Sequence, residues 1–207
     1  MAADLILNSA SVGPWPMNSY ALICPETKQS VLIDPGAEPA RLEAMLGDST
    51  PQAILLTHAH HDHIGALDEM KGRLQVPVYI HPADSPMGVA ADAWFADGDT
   101  FVLGQHELTI IHTPGHTHGM VTLMLPDHRA IVGDTIFKGG PGKTWAPQYL
   151  AATLETLQYI VFRWPDETHC YPGHGPSFRL GDERPDFEAF LQREHPADLR
   201  GDVTWDM

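Results

Sequence analysis

Short apolar runs punctuated by Pro, Gly and Asn govern the chain and predict a sheet-rich fold. Asp4–Asn8, Tyr20–Cys24 and Ser30–Asp34 read as an N-terminal antiparallel sheet. Ala53–Leu56 is a fully apolar run between Pro51 and a group of histidines, the pattern of a short buried strand. Further strands are predicted over Val78–His81, Phe101–Leu103, Glu107–His112, Val121–Leu125 and Ala130–Val132. The period lengthens to that of a helix from about Glu38 to Leu46, where Leu42, Met45 and Leu46 share a face. A second helix is expected from near His63 to near Gly72. A third runs from Pro147 to about Phe162, with proline suited to the first turn and a core stripe of Leu150, Leu154, Leu157 and Val161. A last helix is placed from Pro185 to about Glu194. No linker, low-complexity segment or internal repeat interrupts these elements, so residues 1–207 read as a single domain.

At 207 residues the chain can bury one substantial core, and 43% apolar with 19% charged residues fits a soluble protein. Twelve Lys and Arg stand against 27 Asp and Glu, a formal charge of −15. Such a surface repels phosphate backbones, which argues against a nucleic-acid partner and toward a small-molecule substrate. No apolar stretch approaches a membrane span, so no membrane association is expected. The opening Met1-Ala2-Ala3-Asp4 lacks the basic start of a signal peptide. Cys24 and Cys170 lie far apart with no motif around either, which reads as two reduced thiols in a cytoplasmic protein.

The chemistry concentrates in Thr57-His58-Ala59-His60-His61-Asp62-His63-Ile64-Gly65. His58 and His60, two apart on an extended segment, can face one ion together. Asp62 and His63 lie where the chain turns into a helix, offset enough to serve a second. Imidazoles and carboxylates suit zinc, iron or manganese. Three later segments repeat the design of apolar strand, Gly-containing turn and ligand: Ile110–Gly119 with His116, Ala130–Thr135 with Asp134, and Cys170–Gly175 with His174. One histidine after a Pro-Gly turn would be unremarked surface; four such elements weigh against coincidence.

These residues fill every position of H-x-H-x-D-H followed by a distant His, Asp and His, and the chain thereby resembles the metallo-β-lactamase superfamily over nearly its whole length. The resemblance implies an α/β (α+β) fold, the four-layer αββα sandwich, with the site at one edge between the sheets. It implies two divalent metal ions, zinc ahead of iron or manganese. His58, His60 and His116 would hold the first, Asp62, His63 and His174 the second, with Asp134 bridging both. Two cations ~3.5–4 Å apart lower the pKa of water from ~16 to about 7 and polarise a carbonyl, so no serine or cysteine nucleophile is needed. Asp62 would orient the hydroxide or take its proton.

Within the superfamily, His60 stands where the diiron flavoproteins commonly carry Glu, and Asp134 where true β-lactamases carry Cys or Ser. Nuclease branches bring basic surfaces, which this chain lacks. The stretch Gly133–Lys143 is similar to that of hydroxyacylglutathione hydrolases (glyoxalase II), where a basic residue nine positions after the bridging Asp contacts the thiol substrate. Lys143 holds that position; a solvated loop lysine is the competing reading. The expected activity is a thioesterase cleaving acyl-glutathione or related thioesters. A lactonase or ester hydrolase on the same site, or a persulfide dioxygenase using a single iron, are the alternatives. The chain departs from typical hydroxyacylglutathione hydrolases in having no room for their C-terminal helical domain, so Arg179 or Arg184 is considered as a substitute contact. Trp145, ahead of Trp94 and Phe95, is expected to wall the pocket. Tyr149 is expected to donate to an oxyanion or simply to pack. Asp34, His61 and His118 are expected behind or beside the ligands.

Overall fold

Alternation along the strands separates three apolar faces, and those faces assemble the molecule. A computed structural model describes residues 4–207; Met1–Ala3, and with them the segment read for a signal peptide, lie outside the described residues. The first sheet contains β1 (Ile6–Val12), β2 (Met17–Ile23), β3 (Gln29–Ile33), β4 (Thr50–Leu55), β5 (Val78–Ile80) and β6 (Ala93–Trp94), in that spatial order. Its β1–β3 pairings are antiparallel and those from β3 to β6 parallel. The second sheet contains β7 (Thr100–Leu103), β8 (His106–His112), β9 (Val121–Met124), β10 (Arg129–Gly133), β13 (His169–Pro172) and β14 (Phe178–Arg179). A small hairpin, β11 (Ile136–Phe137) with β12 (Gly140–Pro141), follows β10.

Val31, Ile33, Ala53 and Leu55 of the first sheet meet Leu108, Ile110, Leu123 and Ile131 of the second in the central core. Their neighbours Leu32, Ile54 and Leu56 point the other way, against α1 (Pro39–Leu46) and α3 (Leu67–Leu74). On the far side, Ala130, Val132 and Cys170 pack under α4 (Pro147–Tyr159) and α5 (Leu180–Leu191). Helix, sheet, sheet and helix make the four layers that the ligand motif implied. This is the metallo-β-lactamase fold. No helix of the described residues is long and apolar enough to cross a membrane.

Several element boundaries differ from the sequence reading, each for a local reason. The helix expected from His63 is two pieces, α2 (His61–Ile64) and α3. The Ala66 N–H turns to the Pro35 carbonyl at 2.9 Å, which breaks the run where Gly65 lies against Gly36. The third helix gives way after Tyr159 to a 3₁₀ turn over Val161–Arg163. The last helix begins at Leu180, five residues before the expected Pro185 start. Its buried face is Leu180, Glu183, Phe187 and Phe190, and the carboxylate on that face hid the period. Glu183 is satisfied in place, because its Oε2 accepts from the Gly139 N–H at 2.7 Å and from Trp205 Nε1 at 3.0 Å.

Candidate metal centre

Every ligand-type residue of the motif emerges from the same edge of the two sheets. The chain leaves β4 at Leu55 and runs on through Thr57, whose carbonyl accepts from the Val121 N–H of the opposite sheet at 2.9 Å. Asp134 follows β10 and His174 follows β13; these strands are parallel and therefore deliver both residues to one end. His58 Nε2 and His60 Nδ1 lie 3.1 Å apart, and His60 Nδ1 lies 2.8 Å from His116 Nε2. His58, His60 and His116 thus form one group able to hold an ion, and Asp62, His63 and His174 form another, each with its ligand atoms within 4.8 Å of one another. Asp134 stands between the two groups. Its Oδ1 is 3.3 Å from His63 Nε2, while its Oδ2 is 3.4 Å from His116 Nε2 and 3.7 Å from His174 Nε2. A Cβ on Gly173 would come within 2.1 Å of Asp134 Oδ1, so only glycine lets β13 end this close to the carboxylate.

Hydrogen bonds behind the rings fix which nitrogen carries the proton. His63 Nδ1 donates to Asp34 Oδ2 at 2.9 Å, His116 Nδ1 to the Lys143 carbonyl at 2.7 Å, and His174 Nδ1 to the Pro16 carbonyl at 2.9 Å. Thr57 Oγ1 donates to Asp34 Oδ2 at 2.6 Å and is left to accept from His58 Nδ1 at 3.0 Å. All four rings therefore turn Nε2 inward, the atom that binds a cation once it carries no proton. His63 Nε2 and Asp134 Oδ1 are buried and have no hydrogen-bond partner, which is costly unless a cation takes up their lone pairs. The residues fit divalent metal ions.

Burial, reinforced by neighbouring imidazoles, pushes His58 well below its ordinary pKa, and His60 down to about 4. These rings stay neutral, the form that binds metal. Burial alone would push His63 down as well, but the charges of Asp134 and Asp34 outweigh it and raise the ring to about 10. The hydrogen bond from His174 holds the Asp62 carboxyl down at about 2. Metal binding at the second group consequently has to displace a proton.

A profile of the Metallo-beta-lactamase superfamily matches residues 12–174. The chain belongs to that superfamily. It is accordingly a metal-dependent hydrolase of a group that binds divalent metals. Among relatives of this superfamily member, the "Probable metallo-hydrolase YqgX" of Bacillus subtilis is 35% identical over 190 residues, covering 80% of this chain and 88% of that protein. A hydroxyacylglutathione hydrolase of Aeromonas hydrophila is 34% identical over 163 residues; the match takes in 76% of this chain but only 61% of that enzyme's length. The crystal structure of TTHA1623 in a di-iron-bound form is similar with a TM-score of 0.75 and 33% identity, over 86% of this chain and 96% of that one.

Beside the ligands, the superfamily member has a cavity of about 690 Å³. Lys143 and Trp145 both line it, as the sequence suggested, and the indole packs edge-on against His60 with ring centroids 5.0 Å apart. His61 also lines it, together with Trp15, Phe137 and Asp202, which the sequence reading had not singled out. Tyr149 packs against His118 outside the cavity, the packing role of its two expected ones. Other expectations are corrected. Phe95 is buried in the central core, stacked on Tyr79, and Trp94 is half exposed away from the cavity. Arg184, on α5, is held by Asp166 and the Phe162 carbonyl and does not line the cavity. Arg179 ends β14 and lies outside the cavity too. Asp84 went unnoticed in the sequence. Buried in a 3₁₀ turn, it accepts from the Gly119 N–H at 2.6 Å and the Ala59 N–H at 3.3 Å, tying the two ligand loops together.

Proposed function

We propose that the chain is a glyoxalase II-like thioesterase that hydrolyses acyl-glutathione or related thioesters with two divalent cations, zinc ahead of iron or manganese. In this reading His58, His60 and His116 hold one cation, Asp62, His63 and His174 the other, and Asp134 both. The observation that carries a two-cation site is the Asp134 carboxylate, whose two oxygens face different histidines at 3.3 and 3.4 Å. Cations bound there supply Lewis-acid activation of water and of the substrate carbonyl. Asp62 lines the cavity, and in this reading it orients the attacking water or takes its proton. Water adds to the thioester carbonyl, the carbon–sulfur bond breaks, and the sulfur leaves as thiolate to be protonated, giving acid and thiol.

Support for a thiol-bearing substrate is the Lys143 ammonium at the cavity wall, together with the hydroxyacylglutathione hydrolase relative. Lys143 Nζ is paired with Asp202 Oδ2 at 2.9 Å, but both side chains are at least half exposed. A surface pair of that kind is worth little, so a substrate carboxylate can exchange for Asp202. Trp145 offers an apolar wall for the acyl group or the thiol carrier.

A hydrolysis panel on protein of measured metal content tests the proposal: S-lactoylglutathione, simpler thioesters, coenzyme A thioesters, lactones, a β-lactam and a phosphodiester. Turnover highest on the glutathione thioester is expected. Intact S-lactoylglutathione and intact simpler thioesters would overturn it, and lactone turnover in their place would favour the ester-hydrolase reading. A second reading is persulfide dioxygenation at one iron, which would need only the group of His58, His60 and His116. One iron per chain with oxygen uptake on glutathione persulfide is its signature.

A further inference from the structure

The end of the sandwich opposite the metal centre carries another set of ligand-type side chains. Cys24 directly follows β2, Glu26 lies in the turn toward β3, and His106 opens β8 in the other sheet. One ligand atom of each lies within 4.8 Å of the others. Cys24 Sγ is 3.4 Å from Glu26 Oε2, which is 3.9 Å from His106 Nε2. Ligands about 2.0–2.3 Å from a tetrahedral zinc stand roughly 3.3–3.7 Å from one another, so these atoms already lie near the edges of such a shell. β2 pairs with His174 at Met17 and ends at Ile23, which puts Cys24 roughly 20 Å away from the main site at ~3.3 Å per residue.

His106 distinguishes this group from a chance encounter. Its side chain is only 8% exposed, and its buried Nε2 has no hydrogen-bond partner while facing the carboxylate. Nitrogen lone pairs and N–H groups are seldom left so inside a protein. Cys24 is fully buried, and its thiol donates to Glu26 Oε2. Gly104, with φ +62°, closes the site from the β7–β8 turn; a Cβ there would come within 2.5 Å of the sulfur. The exposed Glu26 leaves the opposite side open to solvent.

We infer that Cys24, Glu26 and His106 form a separate site for a thiophilic divalent cation such as zinc, with water completing the shell. Thiolate, carboxylate and neutral imidazole balance the double charge. The ion fastens the turn after β2 in one sheet to the start of β8 in the other, and it is independent of the reaction catalysed at the far edge.

Cobalt(II) titration of the metal-stripped, reduced full chain tests this without reference to activity. Cobalt bound to a thiolate shows an intense near-ultraviolet sulfur-to-metal charge-transfer band, which the sulfur-free His/Asp centre cannot give. At saturation the band should have the intensity of one thiolate-bound cobalt per chain, beyond whatever fills the His/Asp centre. It should vanish in Cys24→Ser with loss of one equivalent of cobalt, persist in Cys170→Ala, and be bleached by zinc. His106→Gln and Glu26→Gln keep the thiol and should each weaken the cobalt binding behind this band at least tenfold. Absence of the band in parent protein saturated with cobalt overturns the assignment, as does its survival in Cys24→Ser. Should Cys24→Ser fail to fold, unchanged band affinity in both His106→Gln and Glu26→Gln overturns it equally.

Discussion

Replacing Asp34 with Asn isolates the part of the site that no ligand list contains. Asp34 is buried at 1% exposure; its Oδ1 accepts from the Thr57 N–H at 2.8 Å, and its Oδ2 accepts from Thr57 Oγ1 at 2.6 Å and His63 Nδ1 at 2.9 Å. The residue has φ +49°, a left-handed conformation that Asn tolerates as readily as Asp. In Asp34→Asn the amide oxygen keeps the backbone bond, so the amino group replaces Oδ2. His63 Nδ1 then faces a donor and has to become an acceptor. The neutral ring carries its proton on Nε2 instead, pointing at Asp134 Oδ1 3.3 Å away, and the lone pair meant for a cation is gone. Loss of such an orienting partner costs 10–100-fold in metal affinity, or about 1.4–2.8 kcal/mol. Chelator competition on the purified variant reads the affinity directly, and denaturant unfolding of the metal-free forms checks the fold. If Asp34→Asn bound metal within twofold of the parent with unchanged metal-free stability, the tautomer reasoning would fail.

Asp134→Ala removes the carboxylate facing both ligand groups; metal content should fall by one equivalent and turnover by at least ~10²-fold, the scale of losing one charge-stabilising group, and retained activity would refute a shared site. Lys143→Ala should raise KM for a glutathione thioester about fivefold with kcat unchanged, since an exposed charge pair is worth roughly 1 kcal/mol or less; Asp202→Asn, which frees the lysine, should leave KM equal or lower, and a higher KM would contradict the exchange proposed for this pair. Metal uptake near pH 7.5 should release protons. His63, raised to about 10 by its two carboxylates, is protonated in the metal-free chain at that pH and has to shed the proton to coordinate. Calorimetry in buffers of different ionisation enthalpy measures that release, and buffer-independent heats would count against it.

The fold was legible wherever period and burial agree. Leu42, Met45 and Leu46 at helical spacing are the buried face of α1, and the wholly apolar Ala53–Leu56 supplies both faces of the first sheet. Legibility failed where a long-range contact decides. Nothing local marks the α2–α3 break, because the Pro35 carbonyl that takes the Ala66 N–H is 31 residues away in sequence. The last helix was misread because Glu183, polar and buried, occupies a core position of the stripe. Its partners, Gly139 and Trp205, come from elsewhere in the chain.

At the site, the residues legible in sequence are those that have to be of one chemical type. His58, His60, Asp62, His63, His116, Asp134 and His174 all reach one sheet edge, because ligand atoms admit almost no substitution and strand ends admit little displacement. Orientation obeys a looser rule. His116 and His174 are oriented by the carbonyls of Lys143 and Pro16, which any residue could supply and no side-chain pattern can announce. His63 depends on a carboxylate, and Asp34 was legible for that reason. Asp84 shows the boundary between the cases: a carboxylate is required, but it binds two backbone N–H groups of loops distant from it in sequence, so its type is informative and its spacing is not. The same distinction separates Lys143 from its role. Its position relative to Asp134 is local and readable, whereas its pairing with Asp202 arises because the C-terminal segment pairs Gly201 with Thr144. Under the proposed thioesterase reading, substrate choice depends on chain segments that meet only after folding, and Lys143 and Asp202 are the pair on which to measure it.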